Sequence, residues 1–79
     1  MIVRTTSTYS RLIDAVYLYP GDLRDTDAQY ACTLVVDVEG LTQSINIDVD
    51  DRGRILGFEI LCASMVFSPD ILRSLEQMD

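Results

Sequence analysis

The sequence predicts an α+β domain: an antiparallel β-meander of four or five strands with one C-terminal helix packed on one face. Three observations carry this expectation. Apolar and polar residues alternate with period two through Ala15–Tyr19, Tyr30–Val38 and Ile45–Leu61, the mark of strands with one buried face. Turn formers separate these runs at Pro20-Gly21, Glu39-Gly40 and Asp50-Asp51-Arg52-Gly53. Only beyond Phe67 does the apolar spacing lengthen to that of a helix. Strands first and a helix last define the α+β class.

Taken in order, Ile2 to Tyr9 is Thr-rich and β-prone and predicts a first strand. Ser10 to Asp14 interrupts it, with Ser10 and Asp14 suited to a turn. Ala15–Tyr19 resumes as a strand, with Val16 and Leu18 on one side and Tyr17 and Tyr19 on the other. Asp22 to Gln29 is the most polar stretch and reads as a surface loop, in which Thr26–Gln29 could cap a helical turn. Tyr30–Val38 is a third strand, placing Leu34, Val36 and Val38 on one face and Thr33, Val35 and Asp37 on the other.

Ile45–Leu61 is a β-hairpin, and the chain is organised around it. Gly53 supplies the left-handed residue that closes the turn. A four-residue loop pairs Val49 with Arg54, Ile47 with Leu56 and Ile45 with Phe58, which keeps the apolar sets together. A three-residue loop sets Asp48 across from Leu56, and a slip of one position moves every side chain to the wrong face. The four-residue loop is therefore expected.

Ala63–Phe67 is a short apolar connection. Ser68-Pro69-Asp70 then starts a helix, with an N-cap serine, proline at the first helical position and an acid in the first turn. Ile71, Leu72, Leu75 and Met78 recur at helical spacing, so the helix is expected over 69–78, its stripe serving as core or interface.

The 79 residues are expected to form one domain, 1–79. A chain this short buries only roughly 60–65% of its unfolded surface, so it needs a staple or a partner. The net charge of −7 argues against nucleic acid and anionic membranes as partners and permits a basic protein. No stretch matches a signal peptide or a membrane span, which places the protein in the cytoplasm. Cys32 and Cys62 lie among apolar strand residues, and the reading is of two reduced, buried, structural thiols.

The hairpin segment Ile47–Leu61, with its Asp50-Asp51-Arg52-Gly53-Arg54 turn, resembles the motif of the DUF2283 family of small prokaryotic proteins. Asp14-Ala15-Val16-Tyr17-Leu18 resembles that family's earlier Asp-Ala-x-Tyr-aliphatic segment, and Ala63 matches its small residue after the last strand. The resemblance covers about Tyr9 to Ala63. It implies a small β-rich domain of uncharacterised function. Because members are often encoded beside small ribonuclease-like toxins, it also implies an antitoxin-like role for some of them.

Asp48, Asp50, Gly53, Ile55 and Glu59 match positions of a calcium loop. Arg52 occupies a ligand position, however, and the flanks are strands rather than helices. On the expected register Glu59 also lies roughly 13 Å along the strand from the residue facing Asp48, too far to share an ion. No metal ligands and no cofactor are assigned. The chain has no His, and no Ser or Cys stands beside a base, so no catalytic residue is assigned and the protein is read as no enzyme. Asp48, Asp50 and Asp51 read as a solvated turn, and Glu59 as a half-buried acid with an arginine partner.

Tyr17, Tyr19, Val35, Ile55 and Leu61 fall on outer faces that a single helix cannot cover, and with Glu59 they form the candidate partner surface. The expected function is a non-enzymatic interaction module that self-associates, as a homodimer. The alternative is an antitoxin-like neutraliser of a small basic toxin. A metal-binding protein or an enzyme comes last.

Overall fold

The computed structural model describes residues 5–21 and 29–79. The expected first strand from Ile2 therefore enters at β1 (Thr5–Ser10). The polar loop Asp22–Gln29, except for Gln29, lies outside the described residues, as does most of its helical turn.

The alternating runs all form strands: β2 (Ala15–Pro20), β3 (Tyr30–Val36), β4 (Ile45–Asp50) and β5 (Ile55–Leu61). A 3-10 turn at Ala63–Met65 leads to helix α1 (Pro69–Ser74) and a two-residue strand β6 (Glu76–Gln77). The result is a mixed sheet of six strands with one short helix near the C-terminus. The strand order is β3-β4-β5-β2-β1-β6. Two runs of consecutive antiparallel strands, β1–β2 and β3–β4–β5, join where β2 lies antiparallel to β5. Among the described residues, only β6 runs parallel to its neighbour, β1. Among the described residues, no helix is long and apolar enough to cross a membrane.

The hairpin register departs from the expected one. Asp50 N–H donates to the Arg54 carbonyl at 2.9 Å and Gly53 N–H to the Asp50 carbonyl at 3.1 Å, so the loop has three residues, with Gly53 at φ +75°. A bulge between Asp48 and Val49 then shifts the pairing. Beyond it Asp48 faces Gly57, Ile47 faces Phe58 and Ile45 faces Ile60. The extra β5 residue, Leu56, undoes the slip that a three-residue loop alone would impose, and the apolar sets meet again.

The register lays out two apolar rows on one face. One runs Tyr9–Val16–Ile60–Ile45–Val36, the other Ser7–Leu18–Phe58–Ile47–Leu34. Leu72 and Ala63 cover the first row at Val16 and form the core cluster, with Tyr9, Leu18, Phe67 and Leu75 packed around it. Cover fades with distance from the helix: Val16 is 1% exposed and Ile60 6%, whereas Val36 is 38% and Leu34 50%.

The helix stops at Ser74, short of the expected end at residue 78. Leu75 turns extended, at ψ 161°. The Gln77 side-chain amide donates to the carbonyls of Leu72 at 2.9 Å and Leu75 at 2.7 Å, groups left unpaired where a helix ends. Glu76 and Gln77 pair instead with β1, and Met78 N–H donates to the Tyr9 carbonyl. Of the predicted stripe Leu72 is buried and Leu75 partly so, while Ile71 and Met78 are exposed.

The thiols are a second correction. Cys32 and Cys62 are free, as expected, but both are exposed. Cys32 lies on the outermost strand, and Cys62 adopts a left-handed conformation, φ 51°, where β5 ends.

Candidate functional site

The opposite face of the sheet carries the polar chemistry. One row runs Thr8–Tyr17–Glu59–Asn46–Val35, and beside it Gly57, Asp48 and Thr33 form a second. Asp48 is the hub. Its carboxylate accepts the Tyr17 hydroxyl at 2.9 Å and the Thr33 hydroxyl at 2.6 Å. The Tyr30 and Thr33 hydroxyls lie 2.7 Å apart and extend the chain to the sheet edge. Tyr17 reaches Asp48 by crossing Gly57. A Cβ at Gly57 would stand 3.0 Å from the Tyr17 hydroxyl and 2.8 Å from the Leu18 carbonyl. Only a residue without a side chain admits the ring here. Burial, then the bond to Asp48, pushes the Tyr17 hydroxyl far above its ordinary pKa.

Two further carboxylates hold turns. Asp50, 3% exposed, accepts the backbone N–H of Arg52 at 2.9 Å and of Arg54 at 2.8 Å, and the Arg54 Nε–H at 2.8 Å. The Arg54 backbone bond leads in holding its carboxyl below the usual range. Asp14, left-handed at φ 52°, accepts the Tyr9 hydroxyl at 2.9 Å, the Ser64 N–H at 3.1 Å and the Ser64 hydroxyl at 2.6 Å. It thereby ties the β1–β2 turn to the 3-10 turn after β5. The Ser64 hydroxyl does most to lower its pKa.

The register joins five of the six candidate surface residues on the polar face. Tyr17, Glu59 and Val35 share one row. Tyr19 stacks beside Tyr17, with ring centroids 5.4 Å apart. Leu61 lies opposite Ala15, one step from that row. Ile55 is set apart, next to the bulge. Tyr17 and Tyr19 are half-buried, whereas Val35, Ile55 and Leu61 are exposed. Glu59 is half-buried, as read from the sequence, but its partner is the Asn46 amide at 3.4 Å rather than an arginine.

Sequence reasoning missed Asp48 and Asp50 as hydrogen-bonding centres and read both as solvated turn acids. The available signal was the left-handed Gly53, which makes Asp50 a turn-closing acceptor. For Asp48 the signal was its shared parity with Asn46 on the Tyr17 side. Among the described residues, no group of three His, Cys, Asp or Glu is placed to hold a metal. A groove lined by Tyr9, Arg11, Pro69, Leu72, Arg73 and Gln77 lies beside α1. Tyr9, Arg73 and Gln77 are already engaged there, with Asp14, Asp70 and the helix-end carbonyls.

The fold and its bonded carboxylates define a small sheet domain whose polar residues mainly brace strands and turns. Its sequence matches the model of a family described as a protein of unknown function, DUF2283, over residues 7–64. The chain belongs to that family. No curated protein and no solved structure matches it. Asp14, Tyr17, Asp50, Gly53, Gly57 and Ala63, all within the matched residues, hold the turns, the crowded crossing and the core.

Proposed function

We propose that the protein is a non-enzymatic, cytoplasmic interaction module that self-associates at the β3 end of the sheet, where its apolar face is left uncovered. The observation that carries this reading is the exposure gradient along the two apolar rows. Leu34 and Val36 are exposed, and Ile45, Ile47 and Phe58 are only half-buried, on a face whose other end is core. Val38 and Leu41, in the segment between β3 and β4, are 42% and 43% exposed. A contiguous apolar surface of this kind marks an interaction site, and a chain with so small a core gains stability from covering it. The described hydroxyls and carboxylates of the polar face bond chiefly to one another, which supports a binding role over catalysis.

Analytical ultracentrifugation of the full chain at tens of micromolar tests the reading. A dimer that Val36→Asp converts to monomer is expected, and a monodisperse wild-type monomer overturns it. The net charge of −7 favours a second reading, the neutraliser of a small basic protein. A one-to-one complex with such a polypeptide, dissociated by salt, would support that reading instead.

A further inference from the structure

The two edges of the sheet are finished differently. At the β1 edge the C-terminal segment covers the strand end. β6 pairs with it, Met78 N–H bonds the Tyr9 carbonyl, and the Asp79 carboxylate accepts the Ser10 hydroxyl at 2.6 Å and the Arg11 N–H at 2.9 Å. At the other edge, no strand among the described residues pairs with the outer side of β3.

The direction of the backbone groups of β3 follows from its neighbour. Asp50 N–H donates to the carbonyl of Arg54, just before β5, whereas Asp51 N–H donates to the Gln29 carbonyl just before β3. Alternation then turns Ile45, Ile47 and Val49 toward β3, where they face Val36, Leu34 and Cys32. The N–H and C=O groups of Thr33 and Val35 therefore point away from β4, along the free edge. Native proteins blunt such edges with charge, proline, bulges or short length. β3 carries no charge and no proline, is seven residues long, Tyr-Ala-Cys-Thr-Leu-Val-Val, and is exposed throughout; its irregularity lies at its start. A bulge between Tyr30 and Cys32 confines its regular part to Cys32–Val36.

We infer that β3 is the self-association edge: two copies of the chain pair antiparallel through Cys32–Val36 across a two-fold axis at Leu34. This rests on the self-association reading above and names its geometry. Two conditions select the register. The outward-facing groups of one copy must meet those of the other, and apolar side chains must stay on the apolar face. Thr33 then exchanges both backbone bonds with Val35 of the second copy, Leu34 faces Leu34, and Cys32 faces Val36. Such a contact is isologous, as a two-fold dimer requires. It makes one sheet of the two and runs the exposed apolar rows into each other. Local charge does not oppose a second copy at this place. Each chain carries −7, yet the paired strands carry no charge, and Asp37 lies beyond them, opposite Ala31 rather than Asp37.

The test uses the full chain. Val35→Pro deletes an outward N–H and leaves the β3–β4 ladder whole, since proline is tolerated on that side of an edge strand. It is expected to sediment as a folded monomer, with wild-type circular dichroism, where the wild type is a dimer. In a Cys32→Ser, Cys62→Ser background, Leu34→Cys is expected to form an intermolecular disulfide on oxidation. Facing residues without direct hydrogen bonds lie about 4.5 Å apart at Cα, within disulfide reach. Val35→Cys, offset from its own copy by two positions, is expected to stay monomeric on denaturing gels. If the wild type and Val35→Pro are both dimers and Leu34→Cys does not cross-link, the edge is overturned and self-association survives elsewhere. A monomeric wild type with no cross-link overturns both.

Discussion

At the scale of single residues, the crossing of Tyr17 over Gly57 leaves no room for a side chain at position 57. A methyl group there meets the Leu18 carbonyl at 2.8 Å and the Tyr19 Cβ at 3.0 Å, both on backbone or close to it. Gly57→Ala is expected to cost about 1–3 kcal/mol, the usual penalty of overpacking, read as a lower midpoint in urea. The carboxylates set the response to acid. Asp14, Asp50 and Asp79 have pKa values below those of free carboxyls, from the Ser64 hydroxyl, the Arg54 backbone and the Ser10 hydroxyl respectively. Their folded values lie below their unfolded ones, so the unfolded chain takes up protons first as pH falls. Their stabilisation is complete above about pH 4, the unfolded value, and is lost as pH drops through the lowered native values. Asp50→Asn is therefore expected to be less stable than wild type at pH 7, with the gap closing toward pH 2 in denaturant titrations. Tyr9 and Tyr17 act oppositely, since both are raised. Their contribution is complete below about pH 10 and is lost as pH rises through the raised native values.

At the scale of elements, the helix shows how an apolar stripe can mislead. Leu75 and Met78 continue the spacing set by Leu72, but Gln77 folds its amide back onto the carbonyls of Leu72 and Leu75 and ends the helix early. What remains is six residues held by a cap at one end, the Ser68 hydroxyl accepting Ile71 N–H at 3.4 Å, and by Leu72 against Val16 and Ala63. Ser68→Ala is expected to cost about 1 kcal/mol. Leu72→Ala, which leaves a hole in the core cluster, is expected to cost about 2–5 kcal/mol. Thermal denaturation of the two variants beside wild type checks the order. The hairpin teaches the same lesson for strands. Its turn residues were legible, but the bulge at Leu56 was not, because it answers to the neighbours on β4 rather than to the local pattern.

At the scale of the whole molecule, the buried apolar residues among those described are few: Ala15, Val16, Val49, Ile60, Ala63 and Leu72. Most cluster where β2 and β5 meet the C-terminal segment, leaving β3 and the outer side of β4 lightly covered. If a second copy completes this end, the stability of the fold is coupled to protein concentration by mass action. The melting temperature of wild type is expected to rise with concentration from about 1 to 100 μM, whereas that of Val35→Pro stays constant. Differential scanning fluorimetry across that range reads the difference directly.

The sequence by itself determined where β1 to β5 run, which of their residues share a face, where the hairpin turns and where the helix begins. Period-two alternation, a left-handed glycine and a Ser-Pro-Asp start are local properties that act over a few residues. The tertiary structure alone decided that β2 lies against β5, that Leu56 bulges, that Gln77 ends the helix, and that Asp48 takes hydroxyls from β2 and β3. Each of these depends on side chains far apart in the chain. Register and strand order fix which of them meet, and no local pattern carries that information.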